Sequence, residues 1–260
     1  MFKFPVESAS KICIAGDWHS DSSAAISALE FSLDNDADFI IQLGDFGIWS
    51  GERGERFLKK VKLEAKKFRV PIFFIDGNHE NFNLLYKFPL DGATGLRKFS
   101  DYLYHLPRNY RFSIGGITFH ALGGATSLDR LSRVEGVSWW AEEAVTEEEA
   151  DKAKSLGHSD VLLMHDCPEG VKIPGIDRVS SLRYWPEFTL REAWAHREML
   201  AGVASVVLPR YIFHGHFHIP YNTTFSFRQG FESKIFGLGD QNFGKSGNLM
   251  LISLDEISCS

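Results

Sequence analysis

Ile12-Cys13-Ile14-Ala15-Gly16-Asp17-Trp18-His19 sets four apolar residues directly before a glycine, an aspartate and a histidine. The same grammar recurs along the chain. Phe39-Ile40-Ile41-Gln42-Leu43 runs into Gly44-Asp45, and Ile72-Phe73-Phe74-Ile75 precedes Gly77-Asn78-His79-Glu80. Val161-Leu162-Leu163-Met164 leads to His165-Asp166, and Tyr211-Ile212-Phe213 leads to His214-Gly215-His216-Phe217-His218. Short apolar runs that end in Gly or Asp read as buried strands. In open α/β sheets, ligands gather beyond the carboxyl ends of such strands. The strand ends therefore bring Asp17, His19, Asp45, Asn78, His165, His216 and His218 to one place, which reads as a two-metal site.

Outward from the first strand, Asp21-Ser22-Ser23 offers N-cap oxygens for a helix over Ala24–Leu33. Phe57, Leu58, Val61, Ala65 and Phe68 fall at helical spacing within Glu55–Phe68, and Pro71 marks entry to the next strand. This βαβαβ pattern implies parallel strands with right-handed crossovers. Further on, Tyr102–Leu106, Tyr110–Ile114 and Ile117–Leu122 read as short strands, the last two joined by a Gly115-Gly116 turn. Thr146-Glu147-Glu148-Glu149 looks like a helix start, a second helix covers Thr189–Leu200, and Tyr221–Phe227, Ile235–Leu238 and Leu249–Leu254 are strands. Two mixed sheets packed face to face with helices outside account for both textures. No repeat or linker breaks the chain, so residues 1–260 read as a single domain.

With 260 residues and 44% hydrophobic content, the chain can bury a sizeable core. A formal net charge of −6 speaks against broad nucleic-acid binding. Three cysteines (Cys13, Cys167, Cys259) make no disulfide framework, which points to a reducing compartment. Met1-Phe2-Lys3-Phe4-Pro5 lacks a signal-peptide core, and no apolar run is long enough to span a bilayer. The expectation is a cytoplasmic protein without membrane association.

Phosphoryl chemistry benefits from two cations about 3.5–4 Å apart that clamp the attacking and leaving oxygens. Asp45, on a strand between the others, is the natural bridge. Period-two alternation puts Asp17 and His19 on one side of an extended segment and does the same for His216 and His218. His214 then points the other way. A mixed His/Asp/Asn set suits Mn, Fe or Zn, with Mn favoured, and the lack of a convergent cysteine pair speaks against a structural zinc cluster.

This ordered set, Asp17-x-His19, Gly44-Asp45, Gly77-Asn78-His79-Glu80, His165 and Gly215-His216-x-His218, resembles the calcineurin-like metallophosphoesterase superfamily. The resemblance implies a four-layer αββα sandwich. It implies one metal held by Asp17, His19, Asp45 and His218, and another by Asp45, Asn78, His165 and His216. It also implies that His79 approaches the leaving-group oxygen, beside the ligand Asn78, with Glu80 as its acceptor. One stretch departs from the pattern: many relatives carry an acid, often followed by Arg, shortly after Gly-Asp, whereas this chain has Phe46-Gly47-Ile48-Trp49. That counts against the protein-phosphatase branch, and Phe46 and Trp49 suggest an apolar wall beside the metals.

The loop Gly123–Arg133 presents Arg130 and Arg133, whose planar guanidinium donors suit phosphate. Trp139-Trp140 would pack it down or line a pocket. Arg178, Arg183, Tyr184 and Trp185 form a second candidate wall. Asp166 is expected as a loop cap or partner rather than a ligand, and Cys167 as structural. His105, His120, His158 and His196 are read as surface or packing residues.

The resulting expectation is a binuclear-metal-dependent phosphoesterase in which a metal-bound hydroxide attacks and His79 protonates the leaving oxygen. Its substrate would be a small phosphodiester such as a 2′,3′ or 3′,5′ cyclic nucleotide, a choice that rests on the resemblance. The alternatives are a phosphomonoesterase or dinucleoside polyphosphate hydrolase, a nuclease, and a non-catalytic scaffold with eroded ligands.

Overall fold

The computed structural model describes residues 4–176, 178–227 and 230–258, without the side chains of residues 178 and 179. The first sheet has the order β12-β1-β2-β3-β5-β4, built from β1 (Lys11–Ala15), β2 (Phe39–Gln42), β3 (Ile72–Phe74), β4 (Arg97–Ser100), β5 (Leu103–His105) and β12 (Leu249–Ser253). The second has the order β10-β11-β9-β8-β7-β6, from β6 (Tyr110–Ile114), β7 (Ile117–Leu122), β8 (Val161–Met164), β9 (Tyr211–His214), β10 (Tyr221–Ser226) and β11 (Glu232–Gly237). In each, four parallel strands lie between antiparallel edge strands.

Strand alternation builds the layers. Ile12, Ile14, Phe39, Ile41 and Phe73 meet Phe112, Phe119, Leu163 and Phe213 between the two sheets. The other parity, Cys13, Ala15, Ile40 and Phe74, packs with Leu29, Phe57 and Val61 of the helices Ser22–Asp34 and Gly51–Phe68. On the far side, Leu162, Met164 and Ile212 pack with Ala153, Leu200 and Val203 of the helices Glu147–Ser155 and Glu187–Val207. The result is the expected αββα sandwich.

Local signals account for most boundaries. The Asp21 carboxylate accepts from Ser23 N at 2.7 Å and Ala24 N at 3.2 Å, starting the first helix. Thr146 and Glu149 close a reciprocal capping box. Gly115 and Gly116 turn the β6–β7 hairpin at φ of 59° and 81°, a region that glycine enters without penalty. The last long helix runs seven residues beyond the expected Leu200, through Ala-Gly-Val-Ala-Ser-Val-Val. Gly202, Val203, Val206 and Val207 are poor helix formers, but Val203, Ala204 and Val207 are buried against the second sheet, and packing overrides propensity. The β4 strand has no clean alternation and carries no signal in the sequence.

The end of β3 is anchored by an ionic group that the sequence did not advertise. Buried Arg108 lies 2.8 Å from the Asp76 carboxylate and 2.9 Å from Glu149, and donates to the carbonyls of Glu142, Glu143 and Ala144. Burial alone would raise the Asp76 carboxyl, but Arg108 and His105 outweigh it and hold it well below the usual carboxylate range. Because the folded state depresses this carboxyl, its contribution to stability is full above about pH 4, the ordinary carboxylate value. It is lost as pH falls below that value. Arg108→Ala should cost about 3–5 kcal/mol, since it leaves buried charge unpaired. Urea unfolding at pH 7 checks this, and a loss below about 1 kcal/mol would show the network to be dispensable.

Candidate metal centre

The five nominated strand ends open on one edge of the sandwich. Asp17 and His19 follow β1, Asp45 follows β2, Asn78 and His79 follow β3, His165 follows β8, and His216 and His218 follow β9. One group is tightly drawn: a ligand atom from each of Asp17, His19, Asp45 and His218 lies within 4.8 Å of the others. His19 Nε2 is 3.2 Å from Asp45 Oδ2, and His218 Nε2 is 3.0 Å from Asp17 Oδ2. Across Asp45, His165 Nε2 sits 3.4 Å from the same Oδ2 and 3.1 Å from Asn78 Oδ1. The His216 ring lies 5.1 Å from that of His165. Asp45 thus faces both groups.

The histidines converge by a different device from the one expected. His19, His216 and His218 have φ of 45°, 66° and 55°, and Asp45 has 51°. These are left-handed turns, so strand parity does not operate where the side chains meet. Gly77 and Gly215 make room for the two carboxylates, since a Cβ at Gly77 would collide with Asp45 Oδ1 and one at Gly215 with Asp17 Oδ1.

The donor chemistry fits divalent cations. A metal-ligating imidazole characteristically gives its other ring nitrogen to an acceptor, which fixes the tautomer. Here His165 Nδ1 is 2.7 Å from Leu43 O and His19 Nδ1 is 2.9 Å from Gln241 Oε1, while His218 Nδ1 faces the Asp240 carboxylate at 3.6 Å, an ion-pair distance beyond hydrogen-bond reach. In each case Nε2 is left facing the carboxylates. Burial works against charge on His165, yet Asp45 and Asp17 outweigh it and lift the ring to about 10. His19 is likewise lifted to about 9, against its burial, by Asp45 and Asp17. Protons are drawn onto these rings because the buried carboxylates demand positive charge. Burial lowers His216 to about 4, leaving it a neutral donor.

A family model for calcineurin-like phosphoesterases matches residues 10–220, from before β1 to beyond β9. The chain belongs to that family. Phosphoesterases also stand among its structural neighbours. A dimetal phosphatase from Danio rerio is 14% identical, with 90% of this chain and 88% of that one covered and a TM-score of 0.57. A Thermus thermophilus protein is 12% identical over 95% and 100% of the two chains at a TM-score of 0.47. A novel archaeal phosphodiesterase is 12% identical over 95% and 94% at 0.43. At such identities the likeness concerns the fold. No curated protein sequence matches the chain.

Around the phosphoesterase centre, several residues take parts other than those expected. Glu80 does not serve the His79 ring. Its carboxylate accepts from the backbone N–H groups of Phe46, Gly47 and Ile48 at 2.6, 3.2 and 2.7 Å, clamping the loop that carries Asp45. Burial, with Asp45 nearby, raises that carboxyl to about 7. Phe46 is no wall: it is fully buried and stacks on Phe74 at 4.2 Å. Trp49 does reach the opening, and its Nε1 donates to His79 O at 2.6 Å.

His79, half-buried, donates its backbone N–H to Asp45 Oδ1 at 2.7 Å, and its ring lies 5.8 Å from that of His19. Burial is the main cause that lowers its pKa. It borders a cavity of about 310 Å³ lined by Trp49, Asn81, Asp129, Arg133 and Trp140, among others. Arg133 is held there by Glu143 at 2.7 Å, Asp129 at 3.4 Å and Ser127 Oγ at 2.6 Å. Ser127 in turn accepts from Asn78 Nδ2 at 2.9 Å.

Arg130 does not line this cavity. It pairs with Glu192 at 3.1 Å and lies over Phe188 and Trp139, so the expected pair of substrate arginines reduces to Arg133. Arg183, Tyr184 and Trp185 are exposed and also do not border the cavity, while the Arg178 side chain lies outside the described residues. Asp166 caps Cys167 N at 2.7 Å and pairs with buried His196 at 2.7 Å. Burial pushes the Cys167 thiol to about 12, which removes it as a nucleophile at neutral pH. His214 is buried, with Nε2 2.7 Å from Tyr221 OH. Sequence reasoning missed Asp240 and Gln241, which lie in a segment with no local ligand pattern, and gave Ser127, inside the nominated loop Gly123–Arg133, and Glu143, beside it, no contact with Asn78 or Arg133.

Proposed function

We propose that this phosphoesterase uses two divalent transition-metal ions to hydrolyse small phosphodiesters, cyclic nucleotides foremost. Asp17, His19, Asp45 and His218 would hold one cation, and Asp45, Asn78, His165 and His216 the other. When bound, such cations neutralise charge on the phosphoryl group and lower the pKa of water. Asp45 would keep the two positions in register, and His79, at the cavity edge, would give its ring proton to the departing oxygen. Asn78, whose Oδ1 is turned to His165, keeps its amide N–H on Ser127 and so stays aimed at the centre.

The observation that carries the diester reading is the charge state of the cavity. Its lining arginine, Arg133, is already paired with Glu143 and Asp129 and so offers one shared rather than free cation, and Phe46, which follows Asp45, is buried in the core. A monoester dianion gains little from such a wall, whereas a diester carries a single charge. The half-buried Trp49 offers an aromatic face of the kind that suits a nucleobase in the leaving group. Among the described residues no helix is long and apolar enough to cross a membrane. We read the compartment as cytoplasmic from the buried free thiols of Cys13 and Cys167.

After metal reconstitution, cyclic nucleotides and bis-p-nitrophenyl phosphate should turn over faster than p-nitrophenyl phosphate and dinucleotides. A clear preference for the monoester would overturn the diester reading. Chelation should abolish turnover, and Mn²⁺ should restore it best, because Mg²⁺ prefers oxygen ligands and its own waters. Full activity in protein shown by elemental analysis to be metal-free would sink the metal dependence. Arg133→Ala should lower kcat/KM by about 10–150-fold, the equivalent of the roughly 1.5–3 kcal/mol of a charge-assisted contact, while Arg130→Ala should change it by less than about twofold. Equal kinetics for both variants would remove Arg133 from the substrate site.

A further inference from the structure

The segment between β11 and β12 lies beyond residue 220, outside the stretch that the family model matches, yet it reaches the centre. Asp240 bridges to Asp17 in parallel fashion, and Asn248 Nδ2 donates to both Asp17 O (3.1 Å) and Gly239 O (2.8 Å). Gly16 N donates to Asn248 O at 2.8 Å, so the segment is pinned to the end of β1. From this platform the Gln241 side chain places Oε1 2.9 Å from His19 Nδ1. Asp240 is itself fixed by Asn242, through its N at 3.0 Å and its Nδ2 at 2.7 Å, and holds Oδ2 3.6 Å from His218 Nδ1.

We propose that Gln241 is a positioning residue for the cation site formed by Asp17, His19, Asp45 and His218, fixing the tautomer and aim of His19, with Asp240 supporting His218. This rests on the binuclear reading above. An amide oxygen accepts a hydrogen bond from Nδ1–H, which keeps the proton on Nδ1 and leaves the Nε2 lone pair directed at the side where Asp45 lies 3.2 Å away. Being neutral, Gln241 does this without adding a further carboxylate to Asp17, Asp45 and the nearby Asp240. The other site has its own anchor, Leu43 O on His165 Nδ1, with which Gln241 makes no hydrogen bond. The assignment is therefore asymmetric: one cation depends on Gln241 and the other does not.

The test is Zn²⁺ binding to the full chain, followed by competition with a chelator and by elemental analysis, for wild type, Gln241→Leu and Gln241→Glu. Leucine keeps the bulk and removes the acceptor, while glutamate restores an acceptor. Wild type should hold two ions. Gln241→Leu should hold one as tightly as wild type and the other about 10–100-fold more weakly, the usual cost of losing such an acceptor. Gln241→Glu should recover the second ion. In the Zn-loaded wild type, long-range ¹H–¹⁵N spectra should show His19 protonated at Nδ1. Undiminished binding of both ions by Gln241→Leu, or equal weakening of both, would overturn the proposal, the latter by showing a general loosening of the fold. A wild type that binds fewer than two ions would instead refute the binuclear reading.

Discussion

Asp45→Asn is expected to hold neither of the two cations tightly and to lose turnover by about 10³-fold or more, about 4 kcal/mol. The substitution is nearly isosteric, and an asparagine oxygen can still accept the His79 N–H that Asp45 Oδ1 receives at 2.7 Å. The loop clamp from Glu80 to Phe46, Gly47 and Ile48 is untouched, so the local fold should survive. What disappears is the charge on an oxygen that lies 3.2 Å from His19 Nε2 and 3.4 Å from His165 Nε2. His216→Ala, by contrast, should weaken mainly the cation on the His165 side. Elemental analysis of the two variants should therefore return different stoichiometries. Two tightly bound metals with normal turnover in Asp45→Asn would mean that Asp45 is not the bridge.

His79→Ala should slow hydrolysis of a cyclic nucleotide by about 10²–10⁴-fold, while slowing an activated aryl diester much less. An alkoxide such as a ribose oxygen needs a proton to depart, whereas p-nitrophenolate leaves unaided. His79 is half-buried at the edge of the cavity, beside Asp45 through its backbone rather than through its ring. Metal content should accordingly be retained. Both rates and the metal content are to be measured on one preparation. Equal losses on the two substrates would assign His79 to phosphate positioning, and metal loss would make it a ligand.

The strands and the residues that follow them were legible because both signals are local. An apolar run such as Ile12–Ala15 declares a buried strand, and Gly16-Asp17-Trp18-His19 declares where it stops and what it carries. Face-to-face packing followed from two textures in one chain, and both sheets and the helices outside them are present. The means of convergence was not legible. Parity assumed an extended backbone through Asp17-x-His19 and Gly215-His216-Phe217-His218, and left-handed turns at His19, His216 and His218 replace it. Nor could any local pattern reveal that Glu80 would hold the backbone of Phe46–Ile48, or that Gln241 would meet His19 from 222 positions away. Such contacts exist only once the sheets have packed. Arg130 and Arg133 look alike in sequence, and only their neighbours, Glu192 and Phe188 for one and Glu143 and Ser127 for the other, separate them.

The left-handed turns carry a wider consequence. Four of the nine described non-glycine residues with positive φ are His19, Asp45, His216 and His218. A side chain in that region costs about 1 kcal/mol or more per residue. Glycine would relieve each position, but at the loss of the imidazole or carboxylate it presents. Selection for thermal endurance and selection for turnover therefore pull these four codons in opposite directions, and the residues present mark the side on which the chain has settled.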